Sequence, residues 1–352
     1  MDRLAGLSRS YKARQLLWLL LTVVLSSSTV LSADEIQLVP VEDVSTAFAG
    51  DTVTIVFRVK SERPVEGTLL WSHSAQQRTL NRGEADVRRS DDGPMASFDL
   101  QLPEVRDGVI YQTQVTAEFV PRGKDSAAAK LQRSLWLFPR NPIASRSAWA
   151  EKLQLELFDP EERTRDALES IELPFQQSRS LSSALPDDSS DIANRNRIIL
   201  IGEGASLAKG TLIDTAVEAA QAGRRVIVLA PEEGTFFMPG FGDNDGQKTG
   251  ELRLVRQSVI TEFDKRLDSK AWPGSSNAVP TRGLRIEAVR GRMQATVSDN
   301  RFSWPWLELR YPDSGGVLIF CGFRIVEHWN SGPTPRYLLV RILESLSASE
   351  SE

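Results

Sequence analysis

The sequence is poor in the residue types that build disulfide frameworks and metal centres. Its 352 residues include one cysteine, Cys321, and two histidines, His73 and His328. One cysteine cannot form a disulfide within the chain, and two histidines cannot supply a multi-histidine metal site. We therefore predict neither a metal nor another cofactor. We expect Cys321 to be a buried, unreactive thiol, and the alternative is a displaced catalytic pair with His328.

The sequence also lacks an apolar run of the ~20 residues that span a bilayer comfortably. The apolar run at residues 16–25 follows four basic residues and precedes a small polar segment that ends near Ala33. This order is typical of a secretory signal. We predict a signal peptide over residues 1–33 and an exported protein, periplasmic or extracellular. The alternative is a membrane anchor formed by an uncleaved signal.

Positive charge is not in excess. The formal net charge is −5, and removal of residues 1–33 changes it to −8 because four basic residues and one acid are lost. Nucleic acids and anionic membranes both require clustered positive charge. The composition therefore argues against a nucleic-acid partner, and against a membrane partner after signal cleavage. The length predicts about two domains, at roughly 150 residues each.

The first predicted domain spans residues 36–140 and is built from strands. Thr52–Lys60 alternates apolar and polar residues, which is the pattern of a half-buried strand. Further strands are predicted at Gly67–Ser72, Ala96–Leu102, Tyr111–Val120 and Leu131–Phe138, and a polar loop over residues 83–94. Several short strands without a helix pattern predict an antiparallel β-sandwich.

The second predicted domain spans residues 147–347 and alternates strands with helices. Its apolar runs predict strands at Leu153–Phe158, Ile198–Gly202 and Val226–Ala230, and a stripe of apolar residues predicts a helix at Gly210–Ala222. Asp159 is the expected cap of a helix that continues to about Ile171, and Thr334 caps the last helix. The alternation predicts an α/β domain with a parallel sheet. Residues 348–352 are expected to be a disordered tail.

The run Ile198–Ala205, the helix ending at Gly223 and the apolar strand Arg225–Ala230 resemble the class I glutamine amidotransferase-like superfamily. The most similar type is the non-catalytic one attached to beta-galactosidases. Ala49–Thr52 and Leu135–Pro139 resemble matching parts of the immunoglobulin-like domains that precede it. The resemblance implies an immunoglobulin-like β-sandwich followed by a three-layer, flavodoxin-like α/β domain. It also implies a role in oligomerisation.

Both catalytic positions of that superfamily depart from its pattern in this sequence. The resemblance places a cysteine on a sharp turn after Val226–Ala230, where Pro231, Glu232 and Glu233 stand instead. It places a histidine after the strand near Val317–Phe320, where the sequence continues with cysteine, glycine, phenylalanine and arginine. We therefore predict no catalytic residue of that type. The leading hypothesis is a non-enzymatic binding or assembly protein that self-associates or binds a protein partner.

Two groups of residues are candidates for ligand binding. Glu203, Glu232 and Glu233 follow neighbouring parallel strands, so they should gather at the carboxyl edge of the sheet, where open α/β folds bind ligands. If these glutamates act as general acid and base, the protein is a carbohydrate-active or hydrolytic enzyme. The alternative is that they are solvent-exposed loop residues without a catalytic role. Trp304 and Trp306 flank a proline and could form a sugar-binding face. The alternative for them is packing in the core.

Overall fold

The structure is a computed structural model that describes residues 36–42, 45–181, 197–206, 212–232, 234–238, 251–256, 258–269, 284–288, 294–297 and 304–348. The predicted signal and residues 349–352 of the predicted tail lie outside these ranges. Within them, no helix is both long enough and apolar enough to cross a membrane.

Two β-sheets form a sandwich over residues 37–138. Its strands are β1 (Gln37–Pro40), β2 (Thr46–Phe48), β3 (Thr52–Lys60), β4 (Gly67–Ala75), β5 (Arg78–Asp86), β6 (Arg88–Ser90), β7 (Gly93–Gln101), β8 (Tyr111–Pro121) and β9 (Ala129–Phe138). One sheet has the order β1-β3-β7-β6 and the other β2-β9-β8-β4-β5. Neighbouring strands are antiparallel, except that β2 runs parallel to β9.

The alternation of apolar and polar residues in β3 correctly predicted which of its side chains face the sandwich core. Phe57 and Val59 of this strand are buried and pack with Leu69, Phe119 and Leu137 from the opposite sheet. Burial of such side chains is the main stabilising contribution to a sandwich.

The predicted loop over residues 83–94 was wrong. Residues 83–86 complete β5, residues 88–90 form β6, and β7 begins at Gly93. Both β5 and β6 lie at sheet edges, and most of their side chains are exposed. Charged side chains are common on edge strands because they discourage pairing with other molecules, so an edge strand can look like a loop in sequence.

A seven-stranded mixed sheet forms the centre of the second region, with the order β11-β10-β12-β13-β19-β18-β15. Its strands are β10 (Leu155–Phe158), β11 (Gln176–Ser178), β12 (Ile198–Ile201), β13 (Arg225–Leu229), β15 (Glu251–Val255), β18 (Trp306–Tyr311) and β19 (Gly316–Cys321). The first five in the order are parallel, and β18 is antiparallel to both of its neighbours. A separate sheet contains β14 (Gly234–Met238), β16 (Leu284–Ala288) and β17 (Gln294–Val297).

Helices lie against both faces of the larger sheet. The helices within the described ranges are α1 (Ser147–Ala150), α2 (Arg163–Glu169), α3 (Leu212–Gln221), α4 (Ser258–Phe263) and α5 (Pro333–Ala348). Ile198 and Leu200 of β12 join a core cluster with side chains of α2, α4 and α5, whereas Ile199 and Ile201 join a second cluster with α3. Successive side chains of a strand point to opposite faces, so a continuous apolar strand is buried on both sides.

Two predicted helix starts need correction. Helix α2 begins at Arg163, because residues 159–162 form a turn in which Glu162 has a positive φ of 58°. The Asp159 side chain still caps it, since its Oδ2 accepts a hydrogen bond from the Arg165 amide at 2.8 Å. Helix α5 begins at Pro333, one residue before the predicted cap, and the Thr334 hydroxyl instead accepts a hydrogen bond from the Asp268 amide.

The sandwich and the second region meet at the start of α5. We call this contact the domain junction, formed by Phe138–Arg140 on one side and Arg336–Tyr337 on the other. The Tyr337 hydroxyl donates to the Pro139 carbonyl at 3.0 Å, and its ring meets Phe138 edge-on with centroids 4.7 Å apart. Arg336 Nη1 donates to the Arg140 carbonyl at 3.1 Å.

Candidate functional site

A cavity of about 290 Å³ lies at the carboxyl ends of β12 and β13. We call it the carboxyl-edge cavity. Its lining residues include Glu161, Arg163, Glu203, Gly204, Ala230, Pro231, Glu232, Arg324 and Glu327. The expectation that Glu203 and Glu232 gather at this edge is confirmed, and Glu233 lies outside the described residues.

Glu203 is buried in the wall of this cavity, with 8% of its surface exposed. Its Oε2 accepts a hydrogen bond from the Val326 amide at 2.7 Å, and its Oε1 accepts one from the Glu327 amide at 2.9 Å. The Glu203 amide donates to the Thr164 hydroxyl at 2.9 Å. Glu203 therefore connects the end of β12 to the turn that follows β19.

The Glu203 carboxyl group ionises at a higher pH than an ordinary glutamate. Burial raises its pKa to about 7, against the opposing effect of the two amide hydrogen bonds. The nearby carboxylate of Glu327 raises the pKa further, and the guanidinium of Arg324 lowers it. Burial raises the pKa of an acid because the charged form loses more hydration than the neutral form.

The end of β13 carries no nucleophile at the predicted turn. Ala230 and Pro231 are buried, and Glu232 is exposed. The Glu232 amide donates to the Ala205 carbonyl at 3.2 Å, which joins this turn to the one after β12. A nucleophile elbow requires a hydroxyl or thiol at this turn, and residues 230–232 provide neither.

Cys321 is fully buried at the end of β19, which confirms the expected buried thiol. Burial raises the pKa of this thiol to about 12, so it is not a thiolate at neutral pH. His328 is partly buried in the turn beyond β19, and its Nδ1 lies 3.4 Å from the Ser331 hydroxyl. The carboxyl-edge cavity, among the residues described, is lined by neither Cys321 nor His328.

The hypothesis of a sugar-binding tryptophan pair was wrong for Trp306. This side chain has no exposed surface, and its ring packs edge-on against Phe263 with centroids 5.5 Å apart. Trp304 is partly buried, and the Arg256 guanidinium lies 4.2 Å from the centre of its ring. Pairing of β18 with both β15 and β19 buries Trp306, so the core-packing alternative holds.

Asp159 lies beneath this edge of the sheet and was missed as a site residue. It follows β10, is 5% exposed, and its Oδ1 has no hydrogen-bond partner among the described residues. Burial raises its pKa, partly offset by backbone hydrogen bonds from Arg165 and Thr164. The rule that placed Glu203 at the carboxyl edge applies equally to a residue after β10, so the sequence contained this signal. Arg324 and Glu327 had no comparable signal, because a turn brings them to the cavity.

No model of a known protein family matches this sequence, and no curated protein is similar to it. Solved structures with weak similarity include a sporulation control protein from Bacillus subtilis, with 12% identity, 34% of this chain covered and a TM-score of 0.23. A Bifidobacterium dentium beta-glucuronidase shares 12% identity over 56% of this chain, with a TM-score of 0.22. A Paenibacillus cycloisomaltooligosaccharide glucanotransferase shares 11% identity over 56%, with a TM-score of 0.24.

The matches span 55%, 44% and 27% of the lengths of those three chains. At these TM-scores, the neighbours support no inference about fold or function.

Proposed function

We propose that this protein is an exported, non-enzymatic binding or assembly protein that contains a degenerate amidotransferase-like domain. The observation that carries the proposal is the chemistry of the carboxyl-edge cavity. A cavity is present where α/β folds bind ligands, but the turn after β13 offers no hydroxyl or thiol. The one thiol of the chain is buried and protonated at neutral pH.

The strand order supports the proposed identity of the second domain, residues 147–347. Numbered among themselves, the five parallel strands follow the order 2-1-3-4-5, which is the flavodoxin-like order. Helices on both faces are compatible with a three-layer arrangement. The antiparallel strands β18 and β15 extend one edge of this sheet.

The strand order of the sandwich supports an immunoglobulin-like domain over residues 36–140. An immunoglobulin sandwich pairs strands A, B, E and D in one sheet and strands G, F and C in the other. The order β1-β3-β7-β6 fits the first sheet, and the run β9-β8-β4 fits the second. In this assignment, β2 and β5 extend the second sheet at its two edges.

The solution mass of residues 34–352 tests the assembly role. Light scattering coupled to size exclusion should give a defined dimer or trimer whose mass does not change on dilution through the working concentration range. A monomer that hydrolyses a substrate would contradict the proposal. The variant C321S is the control for thiol chemistry, because a buried protonated thiol should be replaceable without loss of any activity.

A hydrolytic or carbohydrate-active enzyme is the second candidate. It is favoured by two carboxyl groups in one cavity with different environments: buried Glu203, whose pKa is near neutrality, and exposed Glu232. Such a difference separates the roles of general acid and base. If an activity is found with glycoside or ester substrates, E203Q and E232Q should each reduce it at least tenfold. Equal activity in both variants and the native protein would reject this candidate.

A further inference from the structure

One chain segment contributes to the walls of two cavities. Its residues Arg324 and Glu327 line the carboxyl-edge cavity. Residues 330–332 line a second cavity of about 390 Å³, whose other lining residues belong to the sandwich. We call residues 324–332 the shared segment and the second cavity the junction cavity. Movement of this segment would change the shape of both cavities.

Three hydrogen-bonded anchors hold the shared segment, in addition to the burial of its Ile325 and Trp329 side chains in the core. Its amides at Val326 and Glu327 donate to the Glu203 carboxyl group. The Trp329 indole donates to the Ser170 hydroxyl at 2.8 Å. Arg336 Nε donates to the Trp329 carbonyl at 2.9 Å.

The third anchor continues into the sandwich. Arg336 Nη1 donates to the Arg140 carbonyl, and its Cζ lies 4.9 Å from the centre of the Phe48 ring. Its Nη2 donates to the Asn330 side-chain oxygen at 2.5 Å. A continuous series of contacts therefore runs from Glu203, through the shared segment, to the domain junction.

Glu203 is the anchor whose charge changes near neutral pH. In the described part of the chain, no arginine or lysine forms an ion pair with its carboxyl group, and Arg324 pairs instead with Glu327 at 2.5 Å. An ionised Glu203 is therefore a buried charge held only by two amide donors. The other ionisable side chains around it are Glu161, Arg163, Glu232 and Cys321. His328 lies on the shared segment itself, and burial lowers its pKa below the ordinary value, so it is neutral in the upper part of the pH range.

We propose that Glu203 is a proton-dependent latch that couples the carboxyl-edge cavity to the domain junction. The shared segment stays closed over the neutral side chain and opens more readily once the carboxyl group ionises, because opening gives the charge back to water. Ser170 and Arg336 do not titrate in this range, so they add no pH dependence of their own, and displacement of the segment also displaces the Arg336 contacts that lead to the sandwich.

The direction of the pH effect follows from the two states. The closed state has a raised pKa of about 7, and an open, hydrated Glu203 has its ordinary value of 4.5. Below 4.5 both states are protonated and the latch is fully closed. Closure weakens as the pH rises from 4.5 to about 7, and it levels off above 7, where both states are ionised.

Hydrogen exchange of the mature protein at pH 5, 6, 7 and 8 tests the latch. After correction for intrinsic exchange, protection of the Val326 and Glu327 amides should fall by roughly five- to sevenfold per pH unit from pH 5 to pH 7. Residues 45–49, whose Phe48 ring contacts Arg336, should follow with the same dependence. Unchanged protection at residues 326–327, or a change there without one at residues 45–49, would overturn the proposal.

Three variants separate a titrating latch from a merely structural contact. E203Q should abolish the pH dependence, whereas E232Q, which changes an acid in the same cavity, should keep it. E327Q should lower the pH at which protection levels off, and R324Q should raise it, because these charges shift the Glu203 pKa in opposite directions. If E203Q does not fold, the opposite shifts of E327Q and R324Q remain decisive, and equal or absent shifts would refute the latch.

Discussion

His73 lies in the core of the sandwich with none of its side chain exposed. Neither ring nitrogen has a hydrogen-bond partner among the described residues. Burial lowers its pKa, so the native state holds this imidazole neutral. At the residue scale, His73 is a polar group whose burial costs stability, and it also makes stability depend on pH.

We expect H73L to increase the free energy of unfolding by about 1–2 kcal/mol at pH 7, because an unpaired buried polar group is removed. Relative to H73L, the native protein should lose stability as the pH drops below 6.5, since unfolded His73 then binds a proton that folded His73 does not. Glu203 contributes the opposite slope in both proteins, so the difference between them isolates His73. Chemical denaturation at pH 5, 6 and 7 measures both effects. H328Q removes a second histidine whose pKa burial lowers, so H73L and H328Q should each remove part of the pH dependence of stability. An H73L variant with the native pH slope would contradict the assignment.

Gly202 is required by the close approach of Asp159. A Cβ at this position would lie 2.3 Å from Asp159 Oδ1 and 2.9 Å from the Thr164 hydroxyl oxygen. The Asp159 carboxyl group caps α2 through its other oxygen, and the Thr164 hydroxyl accepts a hydrogen bond from the Glu203 amide, so movement of either side chain disturbs a hydrogen bond. A glycine is required here because no larger side chain would fit. The sequence shows a glycine after β12, but it does not show that Asp159 and Thr164 lie against it.

We expect G202A to lower the free energy of unfolding by about 1–3 kcal/mol, as overpacking of a close contact does. G332A is the matched control, because a Cβ there would meet no atom within 4 Å. Its effect should be within about 0.5 kcal/mol. Equal stability of the two variants in urea denaturation would show that the turn around Asp159 adjusts.

A buried ionic network joins the end of α4 to α5. Asp264 Oδ2 accepts hydrogen bonds from Arg266 Nη2 at 2.6 Å and from Arg341 Nη2 at 2.9 Å. Burial alone would raise the Asp264 pKa, but the hydrogen bonds with the two arginines lower it to about 2. At the element scale, this network fixes two helices that otherwise share an apolar contact.

We expect D264N to destabilise the protein by about 3 kcal/mol, because it leaves the partly buried Arg266 guanidinium without its carboxylate, while Arg341 keeps its pairing with Glu344. The stabilisation is present above the ordinary aspartate pKa of 3.8 and is lost as the pH falls toward 2. Thermal unfolding at pH 7 measures the first effect. E262Q removes an exposed pairing with Arg253 and should change stability by less than about 0.5 kcal/mol.

Buried and edge elements differed in how well the sequence predicted them. The apolar runs of β12 and β13 were predicted within one residue of their observed bounds, because a strand covered on both faces must be apolar throughout. Edge strands β5 and β6 were missed, since their exposed faces select the same residues as loops do. A hydrophobic pattern in the sequence therefore identifies a strand only where the strand is buried and its side chains must be apolar.

At the scale of the whole molecule, the domain junction depends on a few polar side chains. Arg336 is buried and bonds to the carbonyls of Trp329 and Arg140, and Tyr337 bonds to the Pro139 carbonyl. Hydrogen bonds from a charged donor are worth roughly 1.5–3 kcal/mol each. The junction should therefore be stable enough for the two domains to unfold together.

We expect one calorimetric transition for the native protein and two for R336A, because this variant loses the bonds to both sides of the junction. The sandwich and the α/β domain should then melt at separate temperatures. R163Q, which changes an exposed arginine outside the junction, should keep a single transition. A single unshifted transition in R336A would mean that apolar contacts such as Phe138 with Tyr337 are sufficient.

The sequence by itself determined which segments are buried strands, and that residues 230–232 include no serine, threonine or cysteine. Those features depend on local pattern and residue type. Only the tertiary structure decided that Trp306 is in the core and that Glu203 is held by the amides of residues 326–327. Such contacts join residues more than 120 positions apart, so their partners are set by how the elements pack and not by any neighbouring sequence.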